Sequence, residues 1–185
     1  VRVRDRIESD SIPAITRLLH RAYAKQIEMG LKPLAGRQGD DVTLERANNS
    51  ECILALLDPP QASSPAGGAA GAAGGAGAGE TIVGVILFEE EEKVDFPPWF
   101  LRPDVCHFAQ FAVDPDTQGL GIGGRLLAEV ERRARERDAS ELALSMAEPD
   151  RDLFNFYVKR GFRWVDVWQW PYTNYRSCIM SKMLL

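Results

Sequence analysis

The chain has 185 residues, 45% apolar and 26% charged, which is the composition of one globular domain able to bury a core without disulfides or metals. Lys and Arg number 22 against 27 Asp and Glu, a net charge of −5, and this speaks against nucleic acid as a partner, because phosphate-backbone binding is driven by clustered positive charge. No apolar run approaches the roughly 20 residues that span a bilayer. The opening VRVRDRIESD lacks the apolar core of a secretory signal. A soluble cytoplasmic protein with no membrane partner is expected. Cys52, Cys106 and Cys178 are odd in number, widely spaced and each set in an apolar run, and the two histidines, His20 and His107, give no zinc-like spacing. Buried free thiols and no metal are expected.

In chain order, residues 1–6 alternate apolar and charged types and predict a short strand. Ser11 and Pro13 suit a helix start, and Ile15, Leu18, Leu19 and Ala22 recur at helical spacing to about Gln26. Residues 27–50 mix loop and helix signals. Residues 52–57 and 82–88 predict strands, the latter continuously apolar and buried. Between them, 58–80 is almost entirely Gly, Ala, Ser and Pro, with nothing to bury, and predicts a flexible insertion.

An acidic run at 89–92 and a Pro-rich loop precede a strand at 105–113. The segment DPDTQGLGIGG then opens a strongly amphipathic helix on which Ile122, Leu126, Leu127, Val130 and Ala134 share a face. Residues 141–146 predict a strand, 150–160 a helix stopped by Gly161, and 162–170 and 175–184 two closing strands. The order is that of a mixed α/β (α+β) sheet in one domain spanning 1–185.

Glycines around a first helical turn are costly, about 1 kcal/mol each against alanine. Gly119, Gly121, Gly123 and Gly124 therefore point to a group that approaches the backbone closely, and the free N–H groups of a helix N-terminus favour a phosphate. There is no GxxxxGK(S/T), which excludes a P-loop. Gly119, Gly121 and Gly124 fit GxGxxG, but five residues separate the strand from the glycines, and about 60 residues remain after them. That is too few for a doubly wound dinucleotide fold.

At these residues the sequence resembles the GCN5-related N-acetyltransferase (GNAT) superfamily. Gln118, Gly121 and Gly123 match its Q/R-x-x-G-x-G/A phosphate motif, the preceding F-A-V-D-P looks like its fourth strand and exit, and Tyr157, Gly161 and Phe162 match its Y-x-x-x-G-F helix end. One departure is Asp150, where many relatives carry asparagine. The resemblance implies a central sheet of about seven strands with helices on both faces and splayed fourth and fifth strands. It implies acetyl-CoA as co-substrate, its pyrophosphate on the amides of Gln118, Gly119, Leu120, Gly121, Ile122, Gly123 and Gly124. The pantetheine arm would lie beside Phe111, Ala112 and Val113, whose backbone would also serve the oxyanion.

By the same resemblance Tyr157 supplies the donor to the departing thiolate. A phenol near pKa 10 facing a thiol near 8.5 is uphill by about 2 kcal/mol. His107 stands where relatives carry a base. By the period of two it should share a strand face with Phe111 and Val113, and an imidazole can relay an amine proton. Tyr23 and Glu89 are expected on the acceptor side. The implied activity is transfer of acetyl to a primary amine, of a small molecule in preference to a protein lysine or N-terminus. A catalytically silent acyl-CoA-binding module is the alternative from another class. Trp164, Trp168 and Trp170 are apolar enough to support a homodimer, though a monomer core can use them as well.

Overall fold

The computed structural model describes residues 1–58 and 79–184. Most of the Gly/Ala-rich insertion expected at 58–80 lies outside the described residues. Seven strands form one sheet: β1 (Arg2–Asp5), β2 (Glu51–Leu57), β3 (Thr81–Phe88), β4 (Val105–Val113), β5 (Glu141–Ala147), β6 (Arg163–Trp168) and β7 (Ser177–Met183). Their spatial order is β1-β2-β3-β4-β5-β7-β6. Every neighbouring pair is antiparallel except β4 with β5.

Helices α1 (Ile12–Ala22), α2 (Ala24–Glu28) and α3 (Asp40–Asn48) follow β1, α4 (Ile122–Glu136) follows β4, and α5 (Arg151–Val158) follows β5. The first helix stops short of Gln26 because Tyr23 leaves helical geometry, and α2 then starts again on a new axis. Of three apolar clusters on the sheet, two pack its centre from opposite faces. Ile53, Ala55, Ile86 and Phe108 pack under α4 and α5, while Cys52, Leu54, Val85 and Leu87 pack against α1. The central strands thus bury both faces, which is why they read as unbroken apolar runs. The three cysteines are free and buried, one each in β2, β4 and β7. No helix is long and apolar enough to cross a membrane among the described residues.

Two local irregularities shape the centre. The β3–β4 register advances from Val85↔Ala112 to Leu87↔Ala109, so β4 spends one residue more than β3, and Gln110 takes a left-handed φ of 47°. This is a β-bulge, which bends its strand and re-aims side chains. The parallel β4–β5 pairing runs only from Val105↔Glu141 to Phe108↔Leu144. Beyond it β4 stays with β3 and β5 stays with β7, and the two strands part.

The closing hairpin buries its tryptophans to different extents. Trp170 is buried after β6, Trp168 is half-buried, and Trp164 is exposed on the sheet's outer strand.

Helix α4 lies close on β3 because Gly84 has no side chain: a Cβ there would stand 2.9 Å from Leu126 Cδ1, 3.1 Å from Ala55 Cβ and 3.2 Å from Ile122 Cγ2. Gly84→Ala is expected to overpack this contact and cost about 1–3 kcal/mol, seen as a lower urea midpoint with an unchanged slope.

Candidate active site

The parting of β4 and β5 leaves a slot whose two rims are backbone. Residues 109–113 line one side and residues 145–147 the other, each rim bonded on its outer side only. Such edge groups are free to pair with an extended chain.

At one end of the slot stands the start of α4. Gly119 and Gly121 hold left-handed φ values of 85° and 75°, and Gly121 caps the helix without a side-chain hydrogen bond. The Gly121 carbonyl accepts from Arg125 N–H at 3.1 Å, but among the described residues no backbone acceptor receives the N–H groups of residues 119–124. A Cβ at Gly119, Gly121 or Gly124 would meet nothing within 4 Å, while one at Gly123 would crowd Phe111 Cζ at 3.2 Å. Gly123 is therefore small for packing, and the others leave exposed amides at the positive end of a helix dipole. Gln118 and Leu120 are exposed beside them.

The slot opens at its other end into a cavity of ≈ 230 Å³. Tyr157, Tyr23 and His107 all line it, together with Phe108 to Phe111 and Ser145 to Ala147. Tyr157 is 4% exposed, and its ring packs against Phe108, Phe156 and Phe162. Burial pushes its phenol well above the ordinary value, so it stays protonated. Helix α5 holds it in place. Asp150 caps the first turn by accepting from Leu153 N–H at 3.1 Å and also accepts from the Gln26 amide at 3.0 Å. At the far end Gly161 (φ 89°) lets Phe162 N–H reach back to the Tyr157 carbonyl at 3.1 Å. Burial likewise raises the Tyr23 phenol.

His107 departs from the expected face. The bulge at Gln110 shifts the alternation by one residue, so Cys106 and Phe108 share the α4 side with Phe111 and Val113. His107 points the other way, its ring stacked on Phe100 (centroids 4.7 Å apart) and edge-on to Phe96. Nε2 lies 3.1 Å from the Glu90 carbonyl oxygen, and the buried Nδ1 lies 3.3 Å from Glu89 Oε1 without the alignment of a hydrogen bond.

Glu89 also departs from expectation. Its φ of 51° turns the carboxylate back onto β4, where it accepts His107 N–H at 2.6 Å, and it does not line the cavity. Burial works to raise the Glu89 carboxyl, yet the contacts with His107 prevail and hold it below its usual range. The acids that do line the cavity are Glu90, Glu92 and Asp150.

Arg46, on α3, joins two of them. Its Nε and Nη2 grip both oxygens of Glu90, Nη2 reaches Glu92 Oε1 at 2.7 Å, and the Tyr172 hydroxyl donates to Glu92 Oε2 at 2.7 Å. Nothing in the sequence signals Arg46, which sits in the mixed 27–50 segment. Tyr172 and Trp170 come from the β6–β7 connection, which is clasped to the chain after α2. Asn174 accepts Lys32 N–H at 2.7 Å and donates to the Gly30 carbonyl at 3.0 Å.

The sequence profile of the acetyltransferase (GNAT) family matches residues 42–162. The chain belongs to the GNAT acetyltransferase family. Among solved structures it is similar to the ribosomal-protein-S18-alanine N-acetyltransferase of Escherichia coli, with 14% identity, 99% of this chain and 93% of that one covered, and a TM-score of 0.62. It is similar to a GNAT acetyltransferase of Elizabethkingia anophelis with acetyl-CoA bound, with 15% identity, 98% and 97% covered, and a TM-score of 0.59. Aminoglycoside 6′-acetyltransferase type Ii is a third, with 14% identity, 100% and 98% covered, and a TM-score of 0.61. At these identities the likeness is one of fold. No curated protein sequence matches the chain. The mixed seven-stranded sheet is the fold of this acetyltransferase family, and its members here act on amines as different as a ribosomal protein and an aminoglycoside.

Arg46 is the cation that makes the burial of Glu90 and Glu92 tolerable. Arg46→Ala should cost about 3–5 kcal/mol. Burial already raises the Glu90 carboxyl and the guanidinium that works against this is then gone, so the loss is greatest above its raised value and shrinks as acid neutralises it. Thermal melts of the variant and the parent at about pH 5 and about pH 8 check the sign.

Proposed function

We propose that the GNAT protein described here moves an acetyl group from acetyl-CoA to the primary amine of a small molecule by direct attack in a ternary complex. One observation carries this reading: the bare amides of α4 follow the β4 rim of a backbone-edged slot, and residues of both rims line the cavity. Each part suits one portion of the donor and acceptor. The pyrophosphate meets the amides of residues 119–124, the extended pantetheine arm pairs along Phe111, Ala112 and Val113, and the amine enters from the cavity. The acetyl-CoA bound in the Elizabethkingia anophelis structure supports the choice of donor.

The neutral amine attacks the thioester carbonyl. A C–N bond forms and the C–S bond breaks, a proton leaves the amine, and CoA departs as the thiol once its sulfur is protonated. The oxyanion takes a backbone N–H at the β4 rim. Burial changes the role of Tyr157. With its phenol above the ordinary value, full proton transfer to a thiolate costs more than the sequence values imply, so Tyr157 acts by hydrogen-bonding the sulfur while solvent supplies the proton.

His107 serves as relay and not as a base in open contact with the amine, since both ring nitrogens face protein acceptors. With Nε2–H donated to the Glu90 carbonyl, the lone pair is on Nδ1, and a proton arriving there meets the Glu89 carboxylate. The small acceptor is supported by the cavity volume of ≈ 230 Å³ and by the Asn174 clasp, which fixes the β6–β7 connection that lines it.

Release of CoA thiol across a panel of amines and peptides tests the activity. Two comparisons test the parts. Gly124→Glu places a side chain in open space within a helix, so the fold should gain about 0.5–1 kcal/mol while CoA affinity falls about tenfold or more by calorimetry, because like charges meet at the amides. Tyr157→Phe should lower kcat about 10- to 100-fold with KM for acetyl-CoA little changed. His107→Gln should hurt kcat/KM most near about pH 7 and least near about pH 10, where free amine is plentiful. A parallel pH–rate profile would remove His107 from the mechanism.

A further inference from the structure

We infer that Arg46 is a positioning residue for His107: by gripping the Glu90 side chain it fixes the peptide whose carbonyl holds His107 Nε2, and Gln110 braces Arg46 in that posture. This inference rests on the relay role of His107 in the acetyl-transfer reading and adds what sets the hydrogen on its ring. A neutral imidazole accepts a proton only at the nitrogen that carries no hydrogen, so a relay needs one defined tautomer. Two acceptors compete for the single hydrogen of His107. The Glu90 carbonyl lies 3.1 Å from Nε2, and the Glu89 carboxylate lies 3.3 Å from Nδ1, out of line for a hydrogen bond. While the Glu90 carbonyl stays in place the hydrogen stays on Nε2 and the lone pair on Nδ1. If that carbonyl moves away, Glu89 draws the hydrogen to Nδ1 and the accepting lone pair is lost there. The peptide joining Glu90 to Glu91 lies beyond Phe88, the last paired residue of β3, and follows the left-handed turn at Glu89. The α3 end of the molecule holds it at two points. Glu91 N–H, on the same peptide, donates to the Asn49 carbonyl at 2.8 Å, and Arg46 Nε and Nη2 take both oxygens of the Glu90 carboxylate, which is 2% exposed.

Strand β4 supplies a second, separate sign. Gln110 keeps a left-handed φ of 47°, a conformation that glycine adopts freely and glutamine does not. What glycine would lack is the side-chain amide. That amide is buried against Arg46, and with its oxygen toward the guanidinium it accepts from Nη1 at 3.0 Å and from Nε at 3.3 Å. The facing Gln38 amide lies 2.7 Å from the same oxygen, and Gln38 in turn lies 2.9 Å from Thr43 Oγ1 on α3. All three guanidinium nitrogens are then engaged, Nε and Nη2 by Glu90, Nη2 also by Glu92, and Nη1 by Gln110. A planar fork meets these acceptors at once, and the point charge of a lysine does not. The bulge that turns His107 toward the aromatic cluster thus also carries the group that braces the arginine controlling its tautomer. The carboxyls facing the ring are Glu89 and Glu90, with the Cys106 thiol beside Glu89.

The test reads the ring directly in the full chain. Its only histidines are His20 and His107, so His107→Gln assigns the imidazole nitrogens in long-range proton–nitrogen spectra. The unaltered protein should show His107 with its hydrogen on Nε2. Arg46→Lys keeps a cation beside the acids but loses the fork, and Gln110→Gly takes the φ of 47° without strain but drops the amide. Each should shift the ratio of Nδ1–H to Nε2–H about fivefold or more, the worth of one hydrogen bond. With acetyl-CoA and the panel amine of fastest thiol release, each should also lose kcat/KM about fivefold near about pH 7 and little near about pH 10, and should add almost nothing to His107→Gln in a double-mutant cycle. Should Arg46→Lys fail to fold, Gln110→Gly decides alone. An unmoved tautomer ratio, an equal loss at the two pH values, or a full further loss on top of His107→Gln would overturn the inference and leave acetyl transfer standing. Thiol release with no amine of the panel, while calorimetry still shows CoA binding, would overturn acetyl transfer and the relay with it.

Discussion

Two parallel strands that pair for four residues and then part create a problem that the rest of the molecule is built around. Backbone N–H and C=O groups along β4 and β5 are left without strand partners in the middle of a sheet, where water cannot fully serve them. A sheet normally avoids this by closing or covering its edges. Here each strand is held apart by its other neighbour, β4 by β3 and β5 by β7, so the gap cannot zip shut. The helices that follow these strands then come to stand at the gap. The connection after β4 brings the N-terminus of α4 to the slot, and the short turn after β5 brings Asp150 and the buried Tyr157 to it.

The same gap explains why the cavity can be so polar. The Gln110 bulge turns β4 and reverses which side chains face α1, which sends His107 toward the aromatic cluster and away from α4. Around it the protein keeps Arg46, Glu90, Glu92 and Asp150 in an interior that would be cheaper to fill with apolar side chains. Buried charge of this kind weakens a fold unless it is matched, and one arginine matches only part of it. Stability and function are therefore in tension at this end of the sheet, in contrast to the β2–β3 centre, where both faces are plain hydrocarbon.

Legibility in the sequence follows the kind of group that does the work. The start of α4 was readable because bare amides demand glycine, and glycine in a helical turn is conspicuous. The end of α5 was readable because Gly161 needs its left-handed φ of 89°. His107 was placed on the wrong face because the bulge residue is glutamine, whose left-handed conformation carries no letter to announce it, and period-two counting assumes an unbroken strand. The sequence points to Glu89, yet Glu90 and Glu92 line the cavity, for a similar reason: a left-handed turn at Glu89 within an acidic run decides which carboxylate looks inward. Arg46 could not be found at all, since its importance comes from partners 44 and 46 residues away.

The α4 end of the slot is made of backbone and the cavity end of side chains, and this division bears on how such a fold can diverge. Amides at a helix start and at a strand rim are supplied by any sequence that keeps the glycines and the splay, so this end can stay fixed while most residues change. The three structures named above, at 14–15% identity, share the overall fold. The cavity end depends on particular side chains from α2, α3, the β3–β4 connection and the β6–β7 connection, elements joined to the sheet by loops that tolerate change. A few substitutions there alter the charge and shape of the cavity without disturbing the slot. The charge around Arg46 is thus set by side chains on a frame whose backbone chemistry it does not need to alter.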